Sequence, residues 1–242
     1  MPHNTSHKTN HSRLRHEKTS DPVVISSETA MTSAQRPVDE SANLITHGLG
    51  FLLSLVATVY LMRLVVPGHQ LQTIVACGVY CSTLVLLYAA STLSHTFHDL
   101  ELRRLFRTLD QACIFLLIAG SITPYAVIFL NHGWWWLLLW TMWGLALTGV
   151  VFVLRRRDLS GPAKFSYGVM GWLPIVALWE LYHRAPLDML LWLVAGGAFY
   201  SIGAIFLTLD RRVRYFHAVW HLLVIAGSIC HYVGIIAYVA AT

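Results

Sequence analysis

Seven apolar runs separated by short polar connectors leave this chain few ways to fold. They cover residues 44–66, 71–95 (or to 97), 109–130, 134–154, 165–181, 187–207 and 215–240. Each is roughly 17 to 26 residues long, the length a helix needs to cross a hydrocarbon core. Lipid offers the backbone no hydrogen-bond partner, so segments this apolar are expected as helices. Breakers punctuate them. Pro67 and Gly68 close the first run, and Asn131, His132 and Gly133 make a tight turn after the third. Pro124 is expected to bend the third helix, and Pro174 stands within the fifth and shortest. The triplet Trp134, Trp135 and Trp136 reads as an anchor at the lipid interface.

The expected architecture is an all-α membrane protein, a seven-transmembrane helix bundle spanning residues 37–242 as one domain. Residues 1–36 precede it as a polar tail rich in Ser, Thr, His, Lys and Arg. That tail has no apolar period and is expected to be disordered. It lacks the apolar h-region of a cleavable signal peptide. Hydrophobic residues make up 56% of the chain and charged residues 12%, far from the composition of soluble domains. The net charge of +5 does not indicate nucleic acid, because the arginines cluster in short connectors between apolar runs. Cys77, Cys81, Cys113 and Cys230 all fall inside apolar runs and read as small buried hydrophobes, with no disulfide framework or Cys-type metal site.

The basic residues orient the bundle. Arg103, Arg104 and Arg107 follow the second run; Arg155, Arg156, Arg157 and Lys164 follow the fourth; Arg211, Arg212 and Arg214 follow the sixth. The opposite side carries only Arg63 and Arg184. This alternation predicts a cytoplasmic N-terminus and a C-terminus outside, in the inner (plasma) membrane of the cell.

Ionisable groups inside membrane segments are costly and mark function. On this topology they gather at one end. Ser91 and His95 close the second span, Asp110 opens the third, and His217 and His221 open the seventh. Glu40, Asn43 and His47 stand at the threshold of the first. The pairs Ser91/His95 and His217/His221, each four apart, lie on single helix faces, as does the Glu40/Asn43/His47 set. Three imidazoles, His95, His217 and His221, make a zinc site that leaves a fourth position for water, as catalytic zinc centres do. Asp110 then reads as general base or orienter, or else as a helix N-cap. Ser91 reads as a hydrogen-bond partner of water or substrate, as a support for Asp110, or as a helix-packing serine. Glu40, Asn43 and His47 read as supports for the ligands, or as capping groups. His231, ten residues beyond His221, lies too far along the helix for the same metal and reads as a buried polar group. Glu180 is expected to pair with Arg184. Asp158 and Asp210 read as solvated members of basic connectors.

These residues resemble the patterns of the hemolysin III family, the bacterial branch of the progestin and adipoQ receptor family. Its E-x2-N-x3-H pattern falls on Glu40, Asn43 and His47. Its S-x3-H pattern followed by an aspartate falls on Ser91, His95 and Asp110, and its H-x3-H pattern on His217 and His221, with His231 trailing. The resemblance covers about residues 38 to 240. It implies a seven-helix bundle with intracellular zinc on the three histidines and an aspartate near the zinc-bound water. It also implies kinship with receptors linked to ceramide-hydrolysing activity and with membrane hydrolases such as alkaline ceramidases. Bacterial members carry hemolysin or channel labels, and some are tied to membrane lipid homeostasis. The long C-terminal tail of the hormone-receptor branch has no counterpart here, so hormone reception is not expected. Three readings stay open: a zinc-dependent hydrolase of lipid amide or ester bonds with membrane lipids as partners and substrate, a non-enzymatic membrane sensor or regulator with structural zinc closed by a fourth protein ligand, Asp110 foremost, and a hemolysin-type channel.

Overall fold

The computed structural model of this chain describes Met1 and residues 27–156, 161–210 and 212–240. The tail histidines His3, His7, His11 and His16, together with Arg157, Asp158 and Arg211, lie outside the described residues. Two compact units are distinguished, Met1–Ala34 and Gln35–Thr242. Helix α1 (Ser27–Val65) begins within the stretch expected as a tail. It is followed by α2 (Leu71–Thr96), α3 (Leu100–Phe129), a 3-10 turn (Gly133–Trp135) and α4 (Trp136–Arg156). Next come α5 (Gly161–Trp172), a 3-10 stretch (Leu173–Ala177), α6 (Leu178–Arg184), α7 (Leu187–Leu209) and α8 (Phe216–Tyr238).

Among the described residues, six helical segments are long and apolar enough to cross a membrane: Asp39–Val65, α2, α3, Gly133–Arg156, α7 and α8. The chain is thus a multi-pass, all-α membrane protein. The fifth expected span is the departure. Pro174 stands near the start of the 3-10 stretch, where it removes a backbone donor and crowds the preceding turn. The single helix expected over 165–181 is therefore three short helical pieces in series, α5, the 3-10 stretch and α6.

The third helix also differs from expectation. It starts at Leu100, because Asp99 caps it by accepting from the backbone N–H groups of Glu101 at 3.0 Å and Leu102 at 2.9 Å. Arg103, Arg104 and Arg107 consequently stand on its opening turns. Asp110 lies deeper inside the helix, so the N-cap reading of Asp110 falls to Asp99 instead.

Packing in lipid relies on close fit and polar ties, since a hydrocarbon solvent gives apolar faces no reason to leave it. Helix α3 is the central element. Its most apolar window is 78% buried, against 22% for that of α1 and 17% for that of α7. Helices α2 and α4 run along α3, while α7 packs along α8. Small residues permit these approaches. A Cβ at Gly120 would collide with the Thr83 side chain, and a Cβ at either Gly196 or Gly227 would sit 3.1 Å from the other's carbonyl oxygen. Tyrosines then bind α8 to its neighbours. Tyr80 donates to the Ser228 carbonyl (3.3 Å), Tyr88 to Ser228 Oγ (3.0 Å), Tyr125 to the His231 carbonyl (2.8 Å), and Tyr232 to the Ala57 carbonyl (2.7 Å). All four cysteines are buried and free, as expected.

Between α3, the broken α5–α6 segment, α7 and α8 lies a cavity of about 990 Å³. The broken segment touches α3 and α7 only sparsely, which leaves this volume unfilled.

Candidate metal centre

The antiparallel run of the helices brings the end of α2, the early turns of α1 and α3, and the start of α8 to one end of the bundle. There His95, His217 and His221 each offer a ring nitrogen, and these three atoms lie within 4.8 Å of one another. Ring centroids are separated by 5.5 Å for His95–His217, 5.4 Å for His95–His221 and 4.5 Å for His217–His221. His221 is only 1% exposed. The spacing of four on α8 and the position of His95 on the last turn of α2 thus bring together the three residues that the sequence singled out.

Each ring is held through Nδ1. His95 Nδ1 lies 2.7 Å from Glu40 Oε2, and His217 Nδ1 lies 2.9 Å from Asp210 Oδ2. A carboxylate accepts, so both rings carry their proton on Nδ1 when neutral. His221 Nδ1 lies 3.1 Å from Thr46 Oγ1. That hydroxyl directs its own proton to the carbonyls of Ala42 (2.9 Å) and Asn43 (3.0 Å). Its oxygen therefore accepts from His221, and the same tautomer follows. In all three rings Nε2 is left with a lone pair, the state in which imidazole ligates a metal. His95 Nε2 is buried with no hydrogen-bond partner, as a site built for an ion requires. The donor set and its tautomers fit a zinc-type metal ion.

Other ties hold the supports. The second oxygen of Glu40 pairs with Arg103, which the early start of α3 brings into reach. Asp39 pairs with Arg214 at 3.2 Å, linking α1 to the approach to α8. That approach turns through Tyr215, whose φ of 63° is unusual for an aromatic residue and sets the entry into α8.

Ser91 and Asp110 both line the large cavity beside this cluster, together with His47 and Asp210. Ser91 is fully buried, and its hydroxyl faces the Asp110 carboxyl without meeting strict hydrogen-bond geometry. Asp110 does not join the group of three nitrogens. Of the three α1 residues expected behind the ligands, Glu40 orients His95 directly. Asn43 contributes its backbone carbonyl to Thr46, and its side-chain oxygen is unpartnered. His47 makes no hydrogen bond; its ring packs on His221 at 3.5 Å between centroids, with both nitrogens buried. Sequence reasoning missed Thr46, Arg103 and Asp210. Asp210, taken as solvated, instead orients His217 and lines the cavity. It approaches His217 across an irregular turn, so no helical spacing signals the contact. Thr46 was visible at the i+3 position from Asn43, on the face already marked.

From this polar end the cavity continues between mostly apolar side chains, among them Ile118, Leu193 and Val224, to Tyr200 and His231. At the far end of the bundle Glu180 pairs with Arg184, as expected, and also meets His132 at 3.0 Å.

Residues 35–232 match the family model described as haemolysin-III related. The chain is 38% identical to the hemolysin-3 of Bacillus cereus over 205 residues, covering 84% of this chain and 93% of that protein. It is 34% identical to the hemolysin-3 homolog of Bacillus subtilis (strain 168) over 203 residues, covering 83% of this chain and 94% of the relative. A more distant likeness, 27% over 227 residues, joins 81% of this chain to 50% of the adiponectin receptor protein of Drosophila melanogaster. A match of that length, with both bacterial relatives covered almost throughout, identifies the chain as a member of the haemolysin III family, related through the fly protein to the progestin and adipoQ receptors.

Proposed function

We propose that this protein is a seven-span, zinc-dependent hydrolase of lipid amide or ester bonds, acting at the cytoplasmic face of the inner (plasma) membrane in membrane lipid homeostasis. The observation that carries the reading is a three-histidine cluster whose neighbours His47 and Asp210 line a largely apolar cavity, with Asp110 and Ser91 side by side in the same wall. The broken α5–α6 segment is the remaining span. The basic residues on the opening turns of α3 and around α7–α8 support a cytoplasmic metal end.

His95, His217 and His221 would hold zinc, which supplies a Lewis acid and an acidified water when bound. The rest of the chemistry belongs to the chain. Hydrolysis adds hydroxyl to the acyl carbon and a proton to the leaving amine or alcohol. Asp110, inside α3 and beside the cluster, takes the water's proton and returns it to the leaving group. Ser91, whose hydroxyl lies against the Asp110 carboxyl, turns that hydroxyl to the substrate carbonyl. The apolar walls hold the acyl chain and keep bulk water from the polar end.

Purified protein is expected to carry one zinc per chain and to release fatty acid from a ceramide-like or phospholipid substrate. Asp110→Asn should keep its zinc and lower turnover by roughly 10²–10⁴-fold. Full activity in Asp110→Asn would remove the general-base role, and no release across a broad lipid panel by zinc-loaded protein would refute the hydrolase. One observation favours a second reading, a membrane sensor or regulator with structural zinc: the His47 ring packs on His221 with both nitrogens buried and unpartnered, and a shift of that ring toward the three nitrogens would close the site with a fourth imidazole.

A further inference from the structure

The far end of the cavity holds a polar group that hydrolysis does not use. His231 is 7% exposed and lines the cavity. Both ring nitrogens are buried without a hydrogen-bond partner. The backbone of Leu193 faces the ring without meeting hydrogen-bond geometry, and at most one nitrogen can turn to it. The ring has a seat of its own. A Cβ at Gly196 would overlap its Cδ2–Nε2 edge, so α7 is cut away to admit it. The Tyr200 ring stands edge-on to it at 5.5 Å, with the Tyr200 hydroxyl engaged to Ser228 Oγ at 2.9 Å. Even with one nitrogen turned to Leu193, a plain methylene chain filling this cavity would leave the other nitrogen unsatisfied in an apolar surround, which is costly. A ligand with a hydroxyl here would satisfy either tautomer, because a hydroxyl both donates and accepts.

The register follows from α8. His221 and His231 are ten residues apart on one helix, a separation of roughly 15 Å. An extended hydrocarbon chain advances about 1.25 Å per carbon for C–C bonds near 1.5 Å, so that span corresponds to about twelve carbons. We infer that the cavity selects acyl chains bearing a hydroxyl near mid-chain, with His231 as the residue that binds that hydroxyl. The inference rests on the reading of the cavity as an acyl-chain chamber, but not on turnover.

The test is displacement of a fluorescent fatty acid from purified protein by stearate and by stearate hydroxylated at the alpha, mid-chain or omega position. In the wild-type protein the mid-chain isomer should displace at about tenfold lower concentration than stearate, the worth of one good buried hydrogen bond. The alpha and omega isomers should show no such gain. In His231→Leu the mid-chain advantage should vanish while stearate binds as before. If stearate binds but the mid-chain isomer has no advantage in the wild-type protein, this inference falls and the hydrolase reading stands. If His231→Leu binds stearate and keeps the advantage, His231 is not the recognising residue and the inference falls likewise. If no fatty acid displaces the probe, both the inference and the acyl-chamber reading fall. The positional series needs only wild-type protein, so it decides the matter even where His231→Leu does not fold.

Discussion

The histidines at the two ends of the cavity stand in opposite states. His95, His217 and His221 each have Nδ1 committed, to Glu40, Asp210 and Thr46 respectively. Their tautomers are fixed before any ligand arrives. His231, on the same helix as two of them, has no side-chain partner at either nitrogen, and only the Leu193 backbone faces its ring. The difference shows how one residue type is held in two different ways within one membrane helix. A ring pinned through one nitrogen presents a lone pair in a set direction, which suits a metal ion. A ring seated mainly by packing, against Gly196 and Tyr200, keeps at least one nitrogen for a ligand that can either donate or accept.

The sharpest way to break this comparison is to remove one ring from each end. His217→Ala should leave the purified protein without stoichiometric metal, because two imidazoles do not make a tight site. His231→Leu should retain one metal per chain. Elemental analysis of both proteins decides it, and equal loss from both would erase the distinction between the ends.

That the cluster end could be read from sequence while the other could not has a physical cause. Spacings of four on helices and the in-out alternation of basic connectors are local signals, and they brought His95, His217 and His221 to one place without coordinates. Helix starts are also local, yet the start of α3 was misjudged. A capping Asp99 outweighed the low apolarity of the residues that follow it, so Arg103 stands on a helix and reaches Glu40. Asp210 was out of reach of any periodicity, since an irregular turn separates it from His217. Pro174 was noticed, but whether a proline kinks a helix or divides it depends on how neighbours fill the gap, and here they leave a cavity. The surroundings that leave His231 without a side-chain partner belong to α3 and α7 and are not written in α8.

A smaller effect is expected one layer behind the ligands. Glu40→Gln and Asp210→Asn preserve shape and an acceptor but remove the charge that sharpens the basicity of His95 and His217. Each should weaken metal affinity by roughly 10–100-fold, measured by competition with a chelating dye. No change in either would mean that the carboxylates serve only to fasten helices.

The smallest effect is assigned to Thr46. Its contact with His221 is a neutral hydrogen bond. Thr46→Val should therefore weaken metal affinity by less than about tenfold, below the effect of either carboxylate change. A loss larger than that of Glu40→Gln would reverse the proposed order of supports.

The claim that the metal site is an open, catalytic one turns on its fourth ligand. X-ray absorption at the zinc edge of the purified, zinc-loaded protein reads it directly. Three imidazole nitrogens and one oxygen are predicted, with Asp110→Ala leaving that oxygen in place as water. Four imidazoles, with His47 as the fourth, would contradict the account and make the zinc a structural clamp.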